Sequence, residues 1–127
     1  MPAIVIDASA LAAVVFDEPK AVEVAAQLDT AQRIDAPAFL WYEMASVCVK
    51  KIRHHPDDAD GLRRALREAT ELPVSIHPVD PLDAVAVAHE TGLSAYDASY
   101  LWLARHLGFD LVTLDERLRA VAEAGNG

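Results

Sequence analysis

Ala3-Ile4-Val5-Ile6-Asp7-Ala8-Ser9 opens the chain with an apolar run that stops at an aspartate. A strand with no polar face is covered on both sides, which is the pattern of a parallel sheet packed between helices. Asp7 stands where that strand ends. Residues 9–16 read as a short helix, so the unit is strand, acidic residue, helix. The same unit returns near the other end of the chain: Phe109-Asp110-Leu111-Val112-Thr113-Leu114 is a strand, Asp115 follows it, and an amphipathic helix runs to about Ala124.

Between these two ends the apolar period keeps switching between strand and helix, the mark of an alternating α/β fold. Pro19 suits the first turn of a helix reaching about Gln27, and Arg33-Ile34-Asp35-Ala36 is a short strand. Pro37 opens a long helix to about Arg53, broken by His54-His55-Pro56, and a charged helix covers Asp58 to Thr70. Val74 to Val79 is a strand. Asp80 caps the next helix, with Pro81 at its first position and Gly92 past its end. Ser94 starts another helix, which stops at Gly108, and Gly125-Asn126-Gly127 reads as a loose tail. No repeat, low-complexity segment or linker divides the chain, so residues 1–127 read as a single unit.

Hydrophobic content of 53% is ample for a core. The one cysteine, Cys48, excludes an intrachain disulfide framework and points to a reducing, cytoplasmic setting. The N-terminus has no basic segment ahead of its apolar run, unlike a secretory signal, and no stretch has the length of a membrane span. With 20 acidic and 11 basic side chains the net charge is −9, which repels nucleic acid at long range and argues against a non-specific nucleic-acid coat. It leaves room for an enzyme that grips RNA through bound cations and a local basic patch.

Most acidic residues lie in polar surroundings such as Pro56-Asp57-Asp58-Ala59-Asp60 and need only a solvated surface. Four do not fit that account. Asp7 and Asp115 end strands, Glu43 sits in the nearly all-apolar helix segment Phe39 to Ala45, and Asp97 lies in the first turn of an apolar helix. Ligands of open parallel sheets bind beyond the carboxyl ends of the strands. A helix from Asp97 followed by a strand to Asp115 forms a return path, bringing its two ends to one sheet edge. Carboxylates so grouped stay ionised together only around a cation, and oxygen donors select hard ions such as Mg²⁺ or Mn²⁺. Each also has a plainer reading: Asp7 and Asp115 as helix caps, Asp97 as part of a capping box with Ser94, Glu43 as a partner of Lys50.

The histidines 54, 55, 77, 89 and 106 show no metal-binding spacing and read as surface or helix-end residues. Basic residues fall into three groups: Lys50-Lys51-Arg53, Arg63-Arg64-Arg67, and Arg117 with Arg119. The first extends the Glu43 helix, where it could set cations beside a phosphate backbone. There is no Gly-rich phosphate loop and no nucleophile elbow.

Ile4-Val5-Ile6-Asp7-Ala8-Ser9-Ala10-Leu11 resembles the opening of PIN-domain nucleases, in particular the VapC-like toxins of bacterial toxin–antitoxin pairs. Pro37 through Glu43-Met44-Ala45 resembles their second motif, Ala95-Tyr96-Asp97-Ala98-Ser99-Tyr100 the third, and Leu111-Val112-Thr113-Leu114-Asp115 the fourth. The ordered set covers nearly the whole chain. The resemblance implies a three-layer α/β/α fold with a small parallel sheet and a metal-dependent endoribonuclease. Asp7, Glu43, Asp97 and Asp115 would be its acidic catalytic and metal-binding residues, and Ser9 and Thr113 polar supports beside the first and last aspartates. It further implies a homodimer and a cognate antitoxin. Some members carry another acidic residue after the last aspartate, where this chain has Glu116 and then Arg117.

Two other classes compete. A PIN-like module that mainly grips a protein partner would gain nothing from crowded like charges. A phosphotransfer enzyme on a doubly wound sheet would need an acidic pair after the first strand and a lysine near the last, but this chain has Asp7-Ala8-Ser9 and no lysine beyond Lys51.

Overall fold

The computed structural model describes residues 2–125. Four parallel strands form one sheet in the order β3-β2-β1-β4. They are β1 (Ala3–Ile6), β2 (Arg33–Pro37), β3 (Val74–His77) and β4 (Asp110–Val112). The helices are α1 (Ala8–Val15), α2 (Ala21–Thr30), α3 (Leu40–His54), α4 (Ala59–Ala69), α5 (Pro81–Thr91), α6 (Ala95–Leu107) and α7 (Glu116–Gly125). Helices α1 to α4 pack against one another, α5 pairs with α6, and α6 lies on β1, β2 and β4. The α/β architecture expected from the alternating pattern is present, with the sheet flanked by helices.

The interior β1 explains its own sequence. Val5 and Ile6 are fully buried, because helices cover both faces of the strand they occupy. They join a core with Leu11, Leu40, Met44, Leu103 and Leu118. Cutting any one of these leucines, Ile6 or Met44 back to alanine would cost about 2–5 kcal/mol in transfer energy and cavity.

Strand order also fixes where a ligand would sit. The chain steps outward from β1 to β2 to β3, then returns to place β4 on the other side of β1. That reversal is the switch point of an open parallel sheet, where the crossing connections diverge and leave a crevice beyond the carboxyl ends. Asp7 follows β1 and Asp115 follows β4, so both flank it.

Several boundaries move for local reasons. Pro19 lies ahead of α2, because Asp17 takes a left-handed φ of 52° and Ala21 N–H bonds to the Glu18 carbonyl before the helix begins. Pro37 still belongs to β2, in register with His77, and Ala38 N–H donates to the His77 carbonyl; the helix therefore starts at Leu40. The helix expected from Asp58 is preceded by a 3-10 turn at Pro56–Asp58. Strand β3 stops at His77, and the next segment turns into the Asp80 cap, which accepts from Leu82 N–H at 2.8 Å. Strand β4 is shorter than its apolar run, because the amide of Leu114 is taken by the Ser9 hydroxyl and not by a neighbouring strand. Gly92 and Gly108 end α5 and α6 at φ 76° and 72°, which L side chains rarely adopt. Gly125 belongs to α7, while Asn126 and Gly127, read as tail, lie outside the described residues. Among the described residues no helix is long and apolar enough to cross a membrane.

Candidate functional site

Asp7 is buried at 4% exposure, yet each of its oxygens is held. Oδ1 accepts from the Ala10 amide at 3.0 Å, which caps α1, and from the Ser9 hydroxyl at 2.7 Å. Oδ2 accepts from the Thr113 hydroxyl at 2.5 Å. The cap reading and the site reading of Asp7 thus describe one side chain performing both tasks. Ser9 accepts from the Leu114 amide at 3.0 Å, and Thr113 accepts from the Asp115 amide at 3.0 Å. The two hydroxyls tie the ends of β1 and β4 together through the carboxylate between them.

Asp115 caps α7, its Oδ1 accepting from the Leu118 amide at 2.9 Å. Asp97 enters through the first turn of α6, where its amide donates to the Ser94 hydroxyl at 3.1 Å. Glu43 comes from the first turn of α3 and accepts from the Tyr100 hydroxyl at 2.7 Å. The expected alternative, a pair with Lys50, is not what Glu43 makes. Tyr100 escaped the sequence reading, although a phenol three residues after Asp97 on an apolar helix face was the available sign. Burial first, and then the Glu43 carboxylate, push the Tyr100 phenol well above its ordinary value, so it remains a proton donor.

The carboxylates feel one another. Asp7 lies above the usual carboxylate range because of its burial, opposed by Thr113, Ala10 and Ser9 and reinforced by Asp115. Burial also raises Glu43, against the Tyr100 hydrogen bond, with repulsion from Asp97 and Asp7 added. Asp97 is raised by burial and then by Asp115 and Asp7, while Ser94 and Arg117 pull it back. Four elements from distant parts of the chain therefore deliver their acidic groups into a shared negative field. Among the described residues, no three Asp, Glu, His or Cys side chains form a ready-made ion cage. What the structure offers is an all-oxygen donor set with a field that attracts a cation.

Carboxylates raised in the folded state favour folding most below their ordinary value, and that contribution is lost as pH rises through the raised values. In the metal-free protein at pH 7–8, Asp97→Asn removes one of the repelling charges, so its melting temperature should rise by about 2–5 °C. Thermal melts in EDTA measure this, and an unchanged or lowered temperature would mean that the field is not repulsive.

Basic residues near the site are partly engaged. Lys51 pairs with Glu18 at 2.8 Å, Arg117 donates to the Gly92 carbonyl, and Arg119 donates to that of Thr113. A second overlooked cluster lies away from the acidic site. Asp35 is fully buried in β2, held by both Arg33 and His77, so His77 is a half-buried strand-end residue with a structural partner and not a helix-end one.

Known proteins share the sequence pattern and the fold of this chain. A family model described as PIN domain matches residues 4–124. Ribonuclease VapC9 of Mycobacterium tuberculosis (strain H37Rv) is 38% identical over 122 residues, covering 95% of this chain and 92% of that protein. Ribonuclease VapC3 of Pyrobaculum aerophilum is 32% identical over 120 residues, covering 91% of each. The crystal structure of PAE2754 from Pyrobaculum aerophilum superposes with a TM-score of 0.76 at 27% identity, over 94% of this chain and 84% of that one. The Mycobacterium tuberculosis toxin VapC20 shares the fold, with a TM-score of 0.69 at 16% identity over 94% of this chain and 95% of that one. By this match along nearly its whole length, the chain belongs to the PIN domain family.

Proposed function

We propose that this chain is a Mg²⁺- or Mn²⁺-dependent endoribonuclease that hydrolyses RNA phosphodiester bonds as the toxin of a toxin–antitoxin pair. The observation that carries the proposal is the shared field of Asp7, Glu43, Asp97 and Asp115 at the switch point of the sheet, in a chain whose relatives are named ribonucleases. These four carboxylates would hold the ion. When bound, a divalent ion supplies an activated water and positive charge beside the phosphate.

The rest is done by the chain. Ser9 and Thr113 fix the Asp7 carboxylate from both sides, so its remaining lone pairs keep one direction. Tyr100 orients Glu43 and stays protonated while doing so. Caps made by Asp7 and Asp115 anchor both carboxylates to helix starts, which restricts their rotation. A net charge of −9 suits a substrate gripped at one site over one held by a general basic surface. The same reading carries a single nuclease unit over residues 1–127, a homodimer and a cognate antitoxin in the cytoplasm.

The test incubates purified, partner-free protein with total RNA in Mg²⁺ or Mn²⁺, beside EDTA and Asp97→Asn controls. Cleavage that vanishes in both controls is the expected result. Intact RNA in every lane, from folded protein with metal bound, would transfer the assignment to a module that acts by gripping a protein partner.

A further inference from the structure

The wall of the candidate site continues into a groove of about 600 Å³ along α3. Glu43 and Lys50 both line it, seven residues apart on α3, together with Tyr42, Ser46, Phe39 and Tyr96. Residues 42, 46 and 50 fall four apart on α3, so they stack in one row beside Glu43. Tyr42 is 79% exposed and Tyr96 is 60% exposed, an unusual cost for two aromatic rings next to a charged site. Tyr96 is held in place: its ring meets Phe39 edge-on at 5.2 Å, and Phe39 meets Tyr100 edge-on at 5.4 Å. Tyr100 in turn grips Glu43, so one aromatic chain links the exposed ring to the acidic group. Lys50 is exposed and has no carboxylate partner among the described residues.

We infer that this groove is a nucleotide subsite, in which Tyr42 and Tyr96 stack an unpaired RNA base beside the phosphate to be cut and Lys50 meets a neighbouring phosphate. The inference rests on the ribonuclease reading and adds where the substrate lies and in what form. Two exposed rings offer a face to any base, because every base has a π surface. A duplex keeps its bases stacked inside, so the groove selects single-stranded RNA or loops. Continuity with Glu43 places the occupant at the reacting end, and Lys50, the one basic residue among those lining the groove, supplies the positive charge that a phosphate requires. The acidic field behind Glu43 would repel the same phosphate anywhere else along the groove. Stacking thus sets affinity and local sequence tolerance, while the carboxylates are left to the chemistry.

Binding is measured with a fluorescein-labelled, mixed-sequence single-stranded RNA 12-mer in EDTA, where no cleavage occurs, and with an abasic strand of equal length. Tyr42→Ala should weaken binding of the base-containing strand about ten-fold. Tyr42→Phe should restore it, since the ring and not the hydroxyl makes the contact. Neither variant should alter binding of the abasic strand, whereas Lys50→Ala should weaken both. In cleavage assays Tyr42→Ala should raise KM with little change in kcat. Tyr42 is chosen first because its exposed ring takes no part in the core, and a thermal melt checks that the variant folds.

The inference is overturned if Tyr42→Ala leaves RNA affinity and KM unchanged, as it would if the groove served a protein partner, or if the wild-type chain does not bind the strand. Unchanged affinity with intact cleavage would leave the ribonuclease reading standing. Ring-dependent binding without any metal-supported cleavage would remove the ribonuclease reading and keep the subsite.

Discussion

Asp7→Asn should lower RNA cleavage by more than about 100-fold while the protein still melts cooperatively. The floor comes from the loss of outer supports in metal sites, which costs about 10- to 100-fold, so loss of a carboxylate proposed to hold the ion should exceed it. The fold should survive because asparagine caps a helix about as well as aspartate, keeping the Ala10 hydrogen bond. The Thr113 hydroxyl, which also accepts the Asp115 amide, can turn to accept from the new amide group. Thr113→Val makes the graded companion: it deletes the hydrogen bond to Oδ2 and leaves the carboxylate, so its loss should fall within about 10- to 100-fold. Single-turnover cleavage in Mg²⁺ or Mn²⁺ measures both. If Asp7→Asn cleaves at the wild-type rate, Asp7 is only a cap, and the ordering of the other three carboxylates must be drawn again without it.

How far the sequence could be read differs between the two halves of that argument. Asp7 and Asp115 were legible because an unbroken apolar run followed by an acid has few meanings: the strand is buried, and the acid sits at its open end. Asp97 was legible through the distance to Asp115, which suits a helix and strand returning to one edge. Glu43 stood out as a charge among apolar neighbours. Its actual partner did not, because Tyr100 is 57 residues away and meets it only once α3 and α6 are brought together. Propensity and period describe one element at a time, and contacts between elements are outside their reach.

Boundaries failed for a related reason. Pro37 has the features of a first helical residue, yet pairing with His77 keeps it in β2, and the helix starts only after a turn at Ala38 and Phe39. Thr113 and Leu114 have strand character, yet the Ser9 hydroxyl competes for the Leu114 amide. In both places a partner distant in sequence outbids the local preference. Asp35 was passed over for the opposite reason: within Arg33-Ile34-Asp35-Ala36 it looks like one polar member of a short strand, and nothing local says that β1 and β3 enclose it on either side.

The largest stability effect is expected at that residue. Asp35→Ala should destabilise the protein by about 2–4 kcal/mol at pH 7, lowering its melting temperature by roughly 10 °C. Asp35 is fully buried, and Arg33 grips it with two parallel hydrogen bonds at 2.8 and 2.9 Å while His77 Nε2 donates at 2.5 Å. Arg33 and His77 keep 53% and 28% of their side chains exposed, so water can rehydrate them once the carboxylate is gone; this holds the cost below that of a wholly buried pair. Burial by itself would push the Asp35 carboxyl up, but the hydrogen bonds and charges of Arg33 and then His77 overcome it and hold it below the ordinary range. A depressed folded value means the stabilisation is present above the unfolded value, near 3.9, and is lost as pH falls through the lower folded one. Urea titrations from pH 7 down to pH 3 should therefore show the gap between wild type and Asp35→Ala narrowing in acid. A gap that stays constant down to pH 3 would assign the loss to the cavity and not to the charge. Asp35 and Asp7 are both buried but shifted in opposite directions. Arg33 and His77 already hold the first, so it ties the sheet together. Among the described residues the second meets a backbone amide, two hydroxyls and other acids but no cationic side chain, and the ion proposed above would supply the charge it lacks.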